Sequence, residues 1–177
     1  MNNEILNKLG AHVLKGDKTP NNENELKKIE SFLKIELSET HKSILNNYGG
    51  AIVFDEGAKY KPKTQSPVDD SQGFQNIEVF YGVLDDNNGL LNQNKMYSRQ
   101  LPSTVITIGE APGGNQICIN RQDGRVLFWH HEAESEDKTL FEIAPSFDEF
   151  FSQLEPDNGS QPSVSSGIDD SESWLDI

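Results

Sequence analysis

The sequence predicts an α+β fold in which helices come first and last and a mainly antiparallel sheet lies between them. Apolar residues repeat at helical spacing over residues 23–48. Three short segments rich in β-branched and aromatic residues follow within residues 104–130, and Asp123-Gly124 is a strong hairpin signal between the last two. Ser146 and Glu149 then form a capping box that opens a final helix. Segregated helices and strands of this kind are typical of the α+β class.

The first half of the chain is predicted to form two helices and a strand. Asn22 and Glu25 make a capping-box pattern at the start of the first helix, and Ser38 caps the second. Gly49-Gly50 ends the second helix, because glycine adopts the left-handed conformation at a helix end without steric cost. A strand follows over residues 51–54. A short helix is also expected around Ile5, Leu6 and Leu9.

The second half is predicted to hold most of the sheet. Residues 77–84 have strand composition, and residues 85–88 are suited to cap a helix that continues to Leu101. Three strands are then expected over residues 104–108, 115–120 and 125–130. The third is apolar at four consecutive positions, which favours a central strand covered on both faces.

Length and charge limit the organisation and the function classes. A chain of 177 residues favours one domain, which we divide into an N-terminal extension (1–22), a domain (23–154) and an acidic, flexible tail (155–177). The formal net charge of −14 argues against direct binding to nucleic acid or a membrane surface. A single cysteine, no long apolar run and no secretory leader predict a cytoplasmic protein.

The end of the acidic tail has a composition unlike the rest of it. Trp174, Leu175 and Ile177 are apolar side chains among acids. Two interpretations are open for this segment: a terminus without contacts, or a short docking segment for a partner or a neighbouring copy.

No motif predicts catalysis, a metal or a cofactor. The glycine-rich residues 109–115 lack the lysine of a phosphate loop and precede a strand, so they indicate a tight turn, with a place in a binding surface left open. His130 and His131 are adjacent on a strand and point to opposite faces, so they cannot converge on one ion. Cys118 has no cation nearby in sequence and is expected to be a buried apolar residue.

The order of several short motifs resembles that of the SUKH superfamily, which includes a fungal cell-wall synthesis regulator and many bacterial immunity proteins. Together the motifs cover roughly residues 23–154 in the same order as in the family. Ser38 departs from the family pattern, in which proline is common at that position. The motifs are Ile29-Glu30 with Leu33, Leu37, residues 44–50 (ILNNYGG), Phe80-Tyr81-Gly82, Ile108-Gly109-Glu110, residues 114–119 (GNQICI), residues 124–132 (GRVLFWHHE) and residues 146–151 (SFDEFF).

The resemblance implies a non-catalytic binding role and no cofactor. It favours a cytosolic bacterial immunity protein that neutralises the toxin domain of a secreted protein, with a nuclease as the expected toxin. The protein itself is expected to be a monomer or a weak dimer. Because a nuclease groove is rich in Lys and Arg, an acidic protein can occupy it. Two alternatives remain at this point: a regulatory interaction scaffold like the fungal member, and a hydrolase or metal enzyme in which His130 or His131 meets His41 or acids in a cleft.

Candidate partner-binding residues are acids in predicted loops, with tyrosines as aromatic anchors. Loops carry variable recognition on a fixed scaffold, and aromatic residues dominate many interfaces. Solubility alone is the simpler explanation of the acidic surplus. The candidates are Asp55, Glu56, Tyr81, Asp85, Asp86, Glu110, Glu132 and Glu134, together with Tyr60 and Tyr97 as further anchors.

Overall fold

The computed structural model describes residues 2–135 and 138–158, which form five α-helices and nine strands in an α+β arrangement. The helices are α1 (Asn2–Lys8), α2 (Glu23–Leu33), α3 (Glu39–Tyr48), α4 (Leu90–Met96) and α5 (Phe147–Ser152). The strands are β1 (Ala11–Val13), β2 (Ile52–Phe54), β3 (Lys59–Tyr60), β4 (Gln75–Asn76), β5 (Val79–Phe80), β6 (Val105–Glu110), β7 (Gln116–Asn120), β8 (Val126–Trp129) and β9 (Leu140–Ala144). Over these residues, no helix has the length and apolar character needed to cross a bilayer.

One antiparallel sheet of seven strands organises the fold, in the order β1-β2-β5-β6-β7-β8-β9. Each neighbouring pair in that order is antiparallel. Strands β3 and β4 form a separate two-stranded sheet. The predicted α+β class, with a mainly antiparallel sheet between helices, is confirmed.

Helix ends follow the predicted caps in two of three cases. The Ser38 hydroxyl accepts a hydrogen bond from His41 N, and the Ser146 hydroxyl accepts one from Glu149 N, each at 3.2 Å. Asn22 stands before α2 but does not cap it. Its side-chain amide donates instead to the Thr19 and Asn46 carbonyls, which ties the start of α2 to α3.

Two apolar clusters lie on the two faces of the sheet. The larger one packs α2, α3 and α5 against the sheet and includes Tyr60, Tyr81 and Phe150, which are fully buried. The smaller cluster holds Cys118 and Trp129 on the other face, where Tyr97 packs edge-on against Trp129 at 6.0 Å. Strand β8 is buried at all four positions between β7 and β9, so the expectation of a central strand is confirmed.

The strand expected over residues 77–84 is wrong in its extent, because β5 covers Val79–Phe80 alone. After β5 the chain meets the end of α3: Val83 N donates to Gly49 O at 2.7 Å. A Cβ built on Gly82 would lie 2.3 Å from the Gly50 carbonyl carbon. This close backbone approach takes residues 82–84 out of the sheet and explains the glycine.

The sequence patterns also missed the outer strands β1 and β9. Strand β1 pairs with β2 from Ala11 opposite Phe54 to Val13 opposite Ile52, so the segment that follows α1 joins the sheet. Strand β9 pairs with β8 and has a mixed burial pattern. Three to five residues at a sheet edge carry too little periodicity to be recognised without their partners.

Candidate functional site

The register of the sheet brings acids that are distant in sequence to one end of it. Glu110, the last residue of β6, lies opposite Gln116 at the start of β7 and opposite Val79 at the start of β5. Because all neighbours are antiparallel, the residues that follow β2 and β8 and the residue that precedes β5 lie at this same end. We call this set the acidic rim: Asp55, Glu56, Glu78, Glu110, Glu132 and Glu134.

Glu78 and Glu110 form the centre of the acidic rim. Glu78 N donates to Glu110 O at 2.8 Å, so the two residues are fixed side by side on adjacent chain segments. Partial desolvation and the neighbouring Glu110 charge raise the pKa of Glu78 above its ordinary value. The same Glu110 charge adds to burial in raising the pKa of Tyr97. None of the ion pairs among the described residues includes Glu78 or Glu110.

The outer members of the acidic rim are exposed and weakly paired. Asp55 lies 3.5 Å from His12 Nδ1, and Glu132 lies 3.9 Å from His131 Nε2. Glu134 is exposed in the connection between β8 and β9. Exposed pairs at such distances neutralise little charge. The rim therefore presents carboxylates to solvent largely without internal counterions.

The glycine-rich turn between β6 and β7 supports the middle of the rim. Gly113 and Gly114 have φ angles of 77° and 80°, which residues with side chains rarely adopt. The Asn115 side chain closes the turn by donating to the Pro112 carbonyl at 2.8 Å. Its Oδ1 also accepts from His131 N at 3.1 Å and lies 3.1 Å from His131 Nδ1. The turn thus fixes the chain that leads to Glu132 against the end of β6.

Asp85 and Asp86 do not join the rim, because they follow β5 at the opposite end of the sheet. Both are exposed, and both are engaged within their own turn. Asp86 Oδ1 accepts from Asn88 N, and Asp85 Oδ1 accepts from Asn92 Nδ2, each at 2.8 Å. Asp86 borders a groove of about 200 Å³ that Lys15 also lines.

Two of the three candidate tyrosine anchors are in the core and not on the surface. Tyr81 is 1% exposed, and its hydroxyl donates to Gln116 Oε1 at 2.8 Å. Tyr60 is 0% exposed, and its hydroxyl donates to Gln75 Oε1 at 2.7 Å. The prediction that Tyr81 contacts a partner is wrong, because its side chain is buried in the core. Tyr81 follows the two-residue strand β5, and the sequence has no signal for which face of so short a strand is buried. Tyr97 is half-buried beside Trp129.

The histidines are not brought together in a way that would support catalysis. His41 stacks on Phe147 in the core, with ring centroids 4.2 Å apart. His131 lies at the acidic rim, bound to Asn115. Burial raises the pKa of the Cys118 thiol, so it stays protonated. Among residues 2–135 and 138–158, no three His, Cys, Asp or Glu side chains are grouped to hold a metal ion.

Sequence patterns missed Glu78, the acid next to Glu110. It is one residue before a two-residue strand, and neither its neighbours in sequence nor its spacing distinguishes it from other surface acids. The antiparallel pairing of β5 with β6 is what places it. That pairing is a long-range contact, for which the sequence has no local signal.

Comparison with known proteins adds two findings. A family model described as the SMI1/KNR4 family (SUKH-1) matches residues 20–153, a range that contains every member of the acidic rim. The chain is also similar to the SPbeta prophage-derived uncharacterized protein YokK of Bacillus subtilis (strain 168). The two are 34% identical over 143 residues, which cover 76% of this chain and 74% of that protein.

Proposed function

Because the chain belongs to the SMI1/KNR4 family (SUKH-1), we propose that it is a cytoplasmic immunity protein. It binds the toxin domain of a secreted bacterial protein, a basic nuclease, and blocks the groove in which that domain holds its substrate. The protein acts by binding and makes or breaks no covalent bond. The observation that carries this proposal is the acidic rim, a set of carboxylates at one end of the sheet that form no ion pair with Lys or Arg among the described residues.

The charge of the rim fits such a partner. A nuclease groove must hold phosphates and is therefore rich in Lys and Arg. Complementary fields raise association rates by about tenfold to a thousandfold. Close charge pairs at a toxin–inhibitor interface couple by about 1.5–7 kcal/mol, against about 0–1 kcal/mol for an ordinary exposed pair. Fast and tight capture is what neutralising a lethal enzyme requires.

The two acids at the centre of the rim favour a partner that presents a Lys or Arg side chain there. Glu78 and Glu110 are adjacent, and no cation pairs with either among the described residues. A Lys or Arg from a partner that approaches both carboxylates offsets their mutual repulsion and is attracted by each. Binding therefore favours ionised Glu78, so affinity falls as the pH falls through the raised pKa of Glu78.

The experiment compares two variants with the same change in net charge. The rim variant combines Glu110→Gln, Glu132→Gln and Glu134→Gln. The control combines Asp85→Asn, Asp86→Asn and Glu36→Gln, which are exposed and lie away from the rim. Asparagine keeps an oxygen that can accept the turn hydrogen bonds of Asp85 and Asp86. The probe is the toxin domain of the polypeptide encoded next to this chain's gene.

At low salt, the association rate constant of the rim variant with that domain should be lower than that of the unmodified chain by about tenfold or more, and it should depend less on salt concentration. Cells that co-express the toxin domain should be protected less well by the rim variant. The control should behave like the unmodified chain. Equal slowing in both variants would show that net charge alone acts and would refute the rim as the site. Absence of any complex with the unmodified chain would refute the immunity function.

A further inference from the structure

A groove between α2 and α4 is unlike the rest of this acidic surface because two cations and several apolar side chains line it. It lies near the end of the sheet opposite the acidic rim, where β6 begins and β7 ends, and has a volume of about 380 Å³. We call it the α2–α4 groove. Its main lining residues are Phe32, Leu33, Lys95, Leu101, Val105 and Arg121. No acid lines it, whereas four other surface grooves in the described part of the chain each include at least one carboxylate.

The cations of the α2–α4 groove have no acidic partner among residues 2–135 and 138–158. Arg121 donates through its guanidinium to the Leu33 carbonyl at the end of α2, and its Nε is buried without a hydrogen-bond acceptor. Lys95 Nζ lies 5.3 Å from the centroid of the Phe32 ring. Lys95 is exposed and pairs with no carboxylate among the described residues, and the Arg121 guanidinium adds a second positive charge to the lining. These two charges favour an anionic group in the groove.

The apolar side of the groove is also uncovered. Phe32 on α2 is 58% exposed and is one of four exposed large apolar side chains among the described residues. Met96, which is also 58% exposed, follows Lys95 on α4 but does not line the groove. An apolar surface rimmed by charge is typical of a docking site. An occupant that is both apolar and acidic would match this lining.

Residues 169–177 of this chain have that composition. Their sequence, DDSESWLDI, places Trp174, Leu175 and Ile177 among four acids. Asn158 is the last described residue, and the sixteen positions from there to Trp174 span up to about 50 Å when extended. The longest strand, β6, has six residues and is about 20 Å long, so the segment can reach from one end of the sheet to the other.

We propose that residues 169–177 dock in the α2–α4 groove of their own chain, with Trp174 against Phe32 and carboxylates near Lys95 and Arg121. Since segment and groove belong to one molecule, the effective concentration is on the order of 1 mM, and a weak contact is enough for substantial occupancy. This inference does not rest on toxin binding. It gives the acidic end of the chain a partner on the body of the protein, away from the acidic rim.

The test labels the full chain with 5-fluorotryptophan and records its fluorine NMR spectrum. The chain has two tryptophans, Trp129 and Trp174, and a Trp174→Phe variant identifies their resonances. The reference for an undocked Trp174 is a synthetic peptide of residues 167–177. In the full chain the Trp174 resonance should differ from that of the peptide, and salt raised from about 50 mM to about 500 mM should move it toward the peptide value.

Two groove variants and two controls complete the design. Phe32→Ala and Lys95→Glu should each move the Trp174 resonance most of the way to the peptide value. Lys15→Glu makes the same charge change at an exposed position outside the groove, and Val68→Ala shortens another exposed apolar side chain. Neither control should move the Trp174 resonance. Circular dichroism checks that each variant is folded, and both groove positions are on the surface.

Three results would overturn the proposal. One is a Trp174 resonance in the unmodified chain that coincides with that of the peptide. Another is a Trp174 resonance that moves toward the peptide value as far in the two control variants as in the two groove variants. The third is a shift that depends on chain concentration over a roughly tenfold range, because the segment would then occupy the groove of a second copy.

Discussion

His41 should make the stability of this protein depend on pH between 7 and 5, and replacing it should remove that dependence. The side chain is 2% exposed in α3 and stacks on Phe147 of α5 with an interplanar angle of 8°. Its Nδ1 is buried without a hydrogen-bond partner among the described residues. Burial lowers the pKa of His41 from 6.5 to about 3, so the ring is neutral in the folded protein at any pH near neutrality.

The size of this pH dependence follows from the difference between the pKa values of His41 in the folded and the unfolded chain. In the unfolded chain His41 takes up a proton as the pH falls below 6.5, whereas in the folded chain it does so near pH 3. The unfolded state therefore binds more protons in this window, and the free energy of unfolding falls as the pH falls. The slope approaches 1.4 kcal/mol per pH unit, which gives a loss of about 2 kcal/mol between pH 7 and pH 5.

Other shifted groups act in different windows or with the opposite sign. Interactions in the folded state lower the pKa values of Asp70, Asp123 and Glu142. Their contributions are present above the unfolded pKa and are lost as the pH falls through the lowered folded pKa values, which is below the window from pH 7 to pH 5. The raised pKa of Glu78 makes the folded state bind a proton more readily, which stabilises it slightly as the pH falls. A variant at position 41 leaves all four groups in place, so a comparison isolates His41.

The measurement is urea unfolding of the unmodified chain and His41→Leu at pH 7, 6 and 5. Leucine is close to histidine in volume and removes the unsatisfied nitrogen, so we expect stabilities within about 1.5 kcal/mol of each other at pH 7. Between pH 7 and pH 5 the unmodified chain should lose about 2 kcal/mol more than the variant. His12→Leu, at an exposed position, is the control. Parallel pH profiles for His41→Leu and the unmodified chain would refute the reasoning.

Two further predictions concern the rim centre and the contact between Gly82 and the end of α3. Glu78→Gln relieves repulsion from Glu110, so it should raise the midpoint of urea unfolding at pH 7 by an amount equivalent to about 0.5 kcal/mol or less. The same variant should bind the toxin domain more weakly in a titration. A variant that is less stable and binds equally well would contradict both expectations. Gly82→Ala should lower stability by about 2 kcal/mol or more in thermal unfolding, because its Cβ would meet the Gly49–Ala51 backbone. Gly124→Ala, in open space at φ 72°, should cost about 1 kcal/mol, and a cost equal to that of Gly82→Ala would count against the contact.

Local patterns were sufficient for the elements that carry their own signals. Helix α3 has a Ser cap and a glycine end, α5 has a Ser cap, and the β7–β8 hairpin has Asp123-Gly124; each lies where the sequence predicts it. The resemblance to the SUKH superfamily is confirmed by the family match over residues 20–153. Strands β1 and β9 and the true length of β5 depend on partners far along the chain, and three-residue or two-residue strands contain no usable periodicity.

The candidate site shows the same division between local and long-range information. That Asp55 and Glu132 lie at the surface was predictable, because acids in loops between apolar segments are seldom buried. Glu110, expected in the glycine-rich turn, is instead the half-buried last residue of β6. That these three acids share one end of the sheet, and that Asp85 and Asp86 lie at the other, follows from strand order and register alone. The burial of Tyr81 was not predictable for a similar reason, since its direction depends on how Phe80 pairs with β2 and β6.

The placement of Glu78 beside Glu110 bears on the two explanations of the acidic surplus, which are solubility and the proposed binding of a cationic partner. Charges that serve solubility alone are least costly when they are spread out and fully hydrated. Here a 2.8 Å backbone hydrogen bond joins Glu78 and Glu110 on adjacent segments, and desolvation together with the Glu110 charge raises the pKa of Glu78. That arrangement costs the free protein stability and is relieved when a cation from another molecule approaches. A protein that binds a cationic partner is expected to place its carboxylates in this way, because the partner's charge offsets the repulsion that lowers the stability of the free protein.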